Sequence, residues 1–198
     1  MSRSQDIAAA AARLVVEEGM EYAAAKRRAV KILGGAPGRT PLPGNEELEA
    51  AVREHIALFC AETQPGELHA LREVALVWMQ RLAEFRPHLS GAAWRGTATR
   101  WSALHLDLYC DDPKAAEIAL INAGVDFDTA SLERPGGGHE PLSVLTLATP
   151  CPALGEPVTV HLLLHDFDEQ RGALKTDALG LAWRGDLAAL RRLLRAPA

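Results

Sequence analysis

Between Ser102 and Tyr109 the sequence alternates polar side chains with leucines. This period of two is typical of a β-strand with one apolar face. Alternate residues of a strand point to the same side of a sheet, so Ala103, His105 and Asp107 share one face with Tyr109, and the leucines form the other. We therefore predict a half-covered sheet whose open face carries this polar set.

Helical patterns fill the first half of the chain, with apolar residues recurring at spacings of three and four. These helices are predicted over residues 5–18, 21–33, 45–61 and 67–85. Ser4 and Asn45 are the expected N-caps of the first and third helices. Three prolines and two glycines between positions 36 and 44 indicate a linker. The predicted organisation is a helical hairpin extension (1–35), a linker (36–44) and an α/β domain with leading helices (45–198).

Strand patterns dominate the second half of the chain. Strands are predicted over Leu89–Trp94, Ala103–Tyr109, Ser143–Ala148 and Val158–His165. A helix over Pro113–Ala123 separates the second strand from the third, and Asp186 is expected to cap a last helix through Arg195. The glycine-rich loop Glu133–Glu140 lacks the Lys-Ser/Thr ending of a phosphate loop. The predicted fold class is α/β (α+β), a mixed sheet flanked by helices with a helical N-terminal extension.

Composition narrows the classes of partner and compartment. A formal net charge of −5 gives no global attraction to nucleic acid or to an anionic membrane. The apolar runs are too short to span a bilayer. Cys60, Cys110 and Cys151 are widely spaced without a Cys-x-x-Cys pair, which indicates reduced thiols and a cytoplasmic location. The sequence predicts no oligomeric state and no acceptor substrate.

The segment Gly91-Ala-Ala-Trp-Arg-Gly96-Thr97 and the strand after Ser102 together resemble the active-site hairpin of the DNA polymerase β-like nucleotidyltransferases. The resemblance covers roughly residues 67–166, about half of the chain. Three further segments are similar to a group of uncharacterised proteobacterial proteins, namely Ala25-Lys-Arg27, Phe85-Arg-Pro87 and Arg171–Leu174. The resemblance implies a nucleotidyltransferase-like sheet, a nucleotide as ligand, and Mg²⁺ or Mn²⁺ as cofactor.

The resemblance also implies positions for site residues. In this superfamily a Gly-Ser step contacts phosphate, and an Asp-hydrophobic-Asp pair on the following strand holds two Mg²⁺ ions. Gly96 and Thr97 match the Gly-Ser step, and Ser102 matches the serine before the first carboxylate. Ala103 then falls on the first aspartate and His105 on the second, whereas a shift of two residues places His105 and Asp107 there. The superfamily pattern also has a third carboxylate on a later strand, and no register of this sequence supplies three carboxylates.

The expected nucleotide-binding residues are therefore Gly96, Thr97, Ser102 and Arg95, and the expected catalytic residues are His105 and Asp107. His161 lies on the predicted strand Val158–His165, on the same face as His165. If the two strands are neighbours, His105, Asp107 and His161 converge as a set of two histidines and one carboxylate. Such a set suits Zn²⁺, Mn²⁺ or Fe²⁺.

Three functions remain open at this point. The leading hypothesis is a catalytically degenerate nucleotidyltransferase-like protein that acts as a nucleotide-binding or interaction module. The alternative is an active metal-dependent nucleotidyltransferase that uses the divergent set His105, Asp107 and His161. A further alternative is a nucleic-acid-binding regulator that works through the basic second helix, from Lys26 to Lys31. Nucleic acid is the least favoured partner because the whole chain is acidic.

Overall fold

The computed structural model describes residues 2–36, 38–134, 141–172, 175–177 and 180–195. Its helices are α1 (Arg3–Glu18), α2 (Tyr22–Ile32), α3 (Asn45–Phe59), α4 (Gln64–Arg81), α5 (Gly91–Arg95), α6 (Pro113–Asn122) and α7 (Leu187–Arg195). Its strands are β1 (His88–Ser90), β2 (Leu104–Cys110), β3 (Asp128–Leu132), β4 (Leu142–Cys151), β5 (Glu156–Asp166) and β6 (Arg184–Asp186). Short 3₁₀ turns lie at Ala83–Phe85 and Phe167–Gly172. The predicted mixed α/β fold class is confirmed.

The six strands form one sheet in the order β3-β4-β5-β2-β1-β6. β2 and β5 are parallel neighbours at its centre, and every other pair is antiparallel. The leucines of β2 and the facing residues of β5 are fully buried, as the alternation predicts; they are Leu104, Leu106, Leu108, Val160 and Leu162. The other face of the same two strands is therefore the one that carries their polar residues.

The described chain forms two compact units, one of residues 1–68 with 97–102 and the other of residues 69–96 with 103–198. In the first unit α1, α2 and α3 bury a common apolar core that includes Ile7, Val15 and Leu48. The prediction places α3 after the linker 36–44, in the α/β domain. In the structure α3 belongs to the same compact unit as α1 and α2. None of the described helices is both long and apolar enough to cross a membrane.

Two predicted helix caps are wrong. Ser2 rather than Ser4 caps α1, because the Ser2 hydroxyl accepts a hydrogen bond from the Gln5 amide at 3.3 Å and the Gln5 side chain accepts one from the Ser2 amide at 2.8 Å. Asn45 is the first residue of α3, and its side-chain oxygen accepts a hydrogen bond from Nζ of Lys26 at 2.7 Å. In contrast, the Asp186 cap of α7 is confirmed by a 2.8 Å bond from the Ala189 amide.

The predicted strand Leu89–Trp94 is wrong beyond Ser90. Gly91 has a φ of +65°, which a strand residue does not adopt, and it starts the short helix α5. Gly96, with a φ of +82°, ends that helix in the left-handed conformation. Arg72 stabilises this end, because its Nε donates a hydrogen bond to the carbonyl group of Ala93 in α5 at 2.9 Å. β3 and β6 were not among the predicted strands, and positions 135–140 of the predicted loop lie outside the described residues.

Candidate functional site

A row of polar side chains crosses one face of the sheet through all six strands. From β6 to β3 the residues in register are Arg184, Ser90, His105, His161, Thr146 and Asp128. Residues directly opposite each other on paired strands share a face. Each member of this row, here called the polar row, is at least partly accessible to solvent. The polar face predicted for β2 thus extends over the whole sheet.

His105 and His161 are the central members of the polar row. They are register partners on the two parallel strands, and their ring centroids lie 5.2 Å apart at an interplanar angle of 40°. Nδ1 of His161 lies 2.9 Å from Oγ1 of Thr146 on the next strand. Gly91 lies against the His105 ring, since a Cβ built at this glycine would stand 3.3 Å from Nδ1 of His105. The structure therefore brings two of the three predicted metal ligands side by side.

Asp107 lies two residues along β2 and is only 3% exposed. Its Oδ1 is 2.7 Å from Nε2 of His165, and its Oδ2 is 3.5 Å from Nη1 of Arg184. Burial acts to raise the pKa of this carboxyl, but the hydrogen bond from His165 and the charge of Arg184 hold its pKa below the ordinary value. The carboxylate is thus ionised, with His165 as a hydrogen-bond partner and the Arg184 guanidinium as a counter-charge.

The contacts of Asp107 belong to a longer chain of charged groups. Nδ1 of His165 lies 3.1 Å from Glu169, and Glu169 is bound by Arg134 at 2.6 Å. Burial acts to raise the pKa of Glu169, while the hydrogen bonds from Arg134 and His165 lower it, and the net direction is downward. At the other end, Arg184 donates to the Tyr109 hydroxyl at 2.7 Å. Each ring nitrogen of His165 thus lies within hydrogen-bonding distance of a carboxylate, so His165 links Asp107 to Glu169.

Sequence reasoning missed His165, Glu169 and Arg184 as site residues. His165 shares a face of β5 with His161, so the period of two contained a signal for it. Arg184 lies in a three-residue strand far along the chain, where no pattern marks it.

Arg95, a predicted nucleotide-binding residue, is engaged inside its own unit. Its Nη2 lies 2.7 Å from Oδ2 of Asp177, and the two side chains are 8% and 2% exposed. Its guanidinium also stacks on the Trp183 ring at 4.7 Å. Gly96 follows as the end of α5. This arrangement gives Arg95 a structural ion pair at the position where the resemblance implies a phosphate contact.

Thr97 and Ser102 belong to the other compact unit. Thr97 is 2% exposed, and the Ser102 hydroxyl accepts a hydrogen bond from the Thr99 amide at 3.0 Å. The Thr99 hydroxyl donates in turn to the Val16 carbonyl of α1 at 3.1 Å. The segment after Gly96 is therefore integrated into the helical unit. Assignment of Gly96, Thr97, Ser102 and Arg95 to a nucleotide stays a prediction.

The three predicted metal ligands are only partly brought together in the structure. His105 and His161 adjoin each other, whereas Asp107 is bound to His165 and Arg184. Within the described part of the chain, no group of three or more His, Cys, Asp or Glu residues is arranged to hold a metal ion. The resemblance implies Mg²⁺ or Mn²⁺, which prefer oxygen ligands, and Asp107 is the one carboxylate on this face of β2. The residues present do not fit a two-Mg²⁺ centre.

Two clefts meet at Cys110 and Asp111, directly at the carboxyl end of β2. One has a volume of about 360 Å³ and is also lined by Arg134 and Glu169 of the charged network. The other has a volume of about 310 Å³ and is also lined by Tyr109. Ligands of open α/β sheets commonly bind outside the carboxyl ends of parallel strands, which is where these clefts lie.

The basic surface of α2 is smaller than the sequence suggests. Lys26 is 7% exposed and bonds to Asn45 within the helical unit. Arg28 is paired with Glu18. Arg27 and Lys31 are exposed.

No protein-family model and no curated protein matches the chain. Among solved structures it is similar to the Cid1 poly(U) polymerase with MgGTP bound (13% identity), to a cytoplasmic RNA terminal U-transferase (19% identity) and to Cid1 with a UTP analogue (14% identity). Each match has a TM-score of 0.36 and covers 57% of this chain. The matched part spans 36–38% of those proteins. A TM-score this low carries no conclusion about activity.

Proposed function

We propose that this chain is a catalytically degenerate, nucleotidyltransferase-like protein that binds a nucleotide at the polar face of its sheet without transferring it. The observation that carries the proposal is that Asp107 is buried and paired within the protein. Its carboxylate is buried and is bound by His165 and Arg184. A two-metal mechanism needs several exposed carboxylates on one strand pair, because Mg²⁺ ions must bridge them and the triphosphate.

The chemistry of the polar row supports an anionic ligand. Arg184 offers a guanidinium, Ser90 and Thr146 offer hydroxyl groups, and His105 and His161 offer imidazoles. Guanidinium and hydroxyl donors are the usual partners of phosphate oxygens. The resemblance of the segment 91–109 to a nucleotidyltransferase hairpin favours a nucleotide over other phosphate esters. We place the protein in the cytoplasm on its cysteine usage.

The test is a thermal-shift scan with each of the four nucleoside triphosphates, with Mg²⁺, Mn²⁺, Zn²⁺ or no metal. A ligand at about a hundred times its Kd adds about 2.7 kcal/mol, which for a chain of this size raises the Tm by about 5–10 °C. We expect such a shift without Mg²⁺ and a smaller shift in His105→Ala. His69→Ala, at an exposed histidine of α4, is the matched control and keeps the full shift. The absence of a shift with every nucleotide contradicts the proposal.

The proximity of His105 and His161 favours one alternative, an active nucleotidyltransferase with a divergent metal set. That enzyme would consume nucleoside triphosphate only with metal present, and His105→Ala or Asp107→Ala would abolish consumption. It would also require Asp107 to leave His165 and Arg184 when metal binds. Product analysis by ion-exchange chromatography separates the two proposals, because the degenerate protein returns its nucleotide intact.

A further inference from the structure

His105 and His161 stand in direct register on parallel strands, and both are half-buried on the open face. Their ring centroids are 5.2 Å apart. Two imidazoles on one tetrahedral ion have metal–nitrogen bonds of about 2.0–2.1 Å, and each ring centre lies about 1.1–1.2 Å beyond its nitrogen, so the centroids are about 5.2 Å apart. The observed separation therefore allows both rings to bind one ion.

The other ring nitrogens of the pair face the protein. Nδ1 of His161 is 2.9 Å from the Thr146 hydroxyl, and Nδ1 of His105 lies beside the Gly91 backbone. A metal-ligating histidine typically bonds through one nitrogen while a neighbouring group orients the ring through the other. Thr146 is therefore a positioning residue for His161, and Nε2 of His161 is its candidate ligand atom.

We propose that His105 and His161 form a two-histidine site for a borderline divalent cation such as Zn²⁺ or Cu²⁺, with water in the remaining positions. Imidazole nitrogens select these ions over Mg²⁺ and Ca²⁺. The site does not use Asp107, because that carboxylate is held by His165 and Arg184. It needs no nucleotide, so it goes beyond the proposed function and stands or falls separately from it.

The first test titrates Zn²⁺ into the full chain, freed of metal with a chelator, by isothermal calorimetry. We expect one saturable event per chain, and at least tenfold weaker binding in His105→Gln and in His161→Gln. Glutamine keeps a polar side chain of similar reach, and circular dichroism melts report whether each variant folds. His69→Gln is the matched control, since His69 is exposed beside Glu73 and offers only a surface contact. Binding that persists in both site variants, or that is lost in the control, overturns the proposal.

The second test counts the ligands. The electron paramagnetic resonance spectrum of the Cu²⁺ protein should show coupling to two nitrogens, and to one in either histidine variant. Asp107→Asn, recorded under conditions where circular dichroism shows it to be folded, should keep both nitrogen couplings. Loss of Cu²⁺ from the folded Asp107→Asn variant would contradict the two-histidine site and favour the three-residue catalytic set instead. Thr146→Val should weaken binding without removing a coupling, as expected for a positioning residue.

Discussion

Nε2 of His165 lies 2.7 Å from Oδ1 of Asp107, a contact that ties the two parallel strands of the sheet together at its centre. It gives Oδ1 of a carboxylate that is only 3% exposed a hydrogen-bond partner, while Arg184 from β6 lies 3.5 Å from Oδ2 as a counter-charge. Asp107, which the superfamily resemblance assigns to metal binding, is thus paired with side chains of the protein itself. In the proposed function, this pairing of Asp107 is the reason that a nucleotide is bound without transfer.

Removing the charge of Asp107 should destabilise the protein. Asp107→Asn leaves the Arg184 guanidinium without its buried counter-charge, and breaking a buried pair in this way costs about 3–5 kcal/mol, less whatever hydrogen bonding the amide keeps with His165. Urea unfolding measures the difference. Asp128→Asn, on the exposed edge strand β3 of the same face, should change stability by less than about 0.5 kcal/mol. Equal effects of the two variants would contradict the internal role of Asp107.

Stability should depend on pH on the acid side. Asp107 and Glu169 both have pKa values below their ordinary ones in the folded protein. A depressed carboxyl pKa gives stability that is complete above the unfolded value of about 4 and is lost as the pH falls through the lower folded value. The urea midpoint should therefore drop below about pH 4, and less steeply in Asp107→Asn. An identical acid slope in that variant would show that the network does not set it.

The turn between β1 and α5 should tolerate only glycine at position 91. Gly91→Ala places a Cβ at a φ of +65° and 3.3 Å from the His105 ring, so we expect a loss of about 1–2 kcal/mol. Gly66→Ala is the matched control, because Gly66 lies in α4 with open space around it, and alanine there should be neutral or stabilise by up to about 1 kcal/mol. Thermal melts of both variants check this. A stable Gly91→Ala would contradict the described turn.

The ion pair of Arg95 and Asp177 should contribute to folding. Both side chains are almost fully buried, so Arg95→Gln should cost about 3–5 kcal/mol. Arg192→Gln, at an exposed residue of α7, should have little effect. A double-mutant cycle with Asp177→Asn should give a coupling of at least about 1 kcal/mol, and a value near zero would show that the pair is energetically unimportant.

The sequence predicts some elements well for identifiable reasons. β2 agrees with its predicted bounds to within one residue because its alternation places leucines on a fully buried face. β3 has no such signal, since all five of its residues are exposed. The predicted strand at β1 extends beyond Ser90, because the period of two does not reveal the positive φ of Gly91.

The candidate site was predictable in part. Parity places His105, Asp107 and His161 on one face, and the structure agrees. The partner of Asp107 depends on the register of the parallel strands, which sets Leu163 opposite Asp107 and brings His165 into reach instead of His161. Register between distant strands is fixed by packing of the whole sheet, so one sequence does not contain it in readable form.

One experiment tests directly whether the protein binds a nucleotide without transferring it. The full chain is titrated calorimetrically with ATP, GTP, CTP and UTP in Mg²⁺, and the contents of the cell are then separated by ion-exchange chromatography. We expect saturable binding of at least one nucleotide, which is recovered entirely as triphosphate with no pyrophosphate released. Metal-dependent release of pyrophosphate would contradict the degeneracy of the site, and no binding of any nucleotide would contradict the proposed ligand.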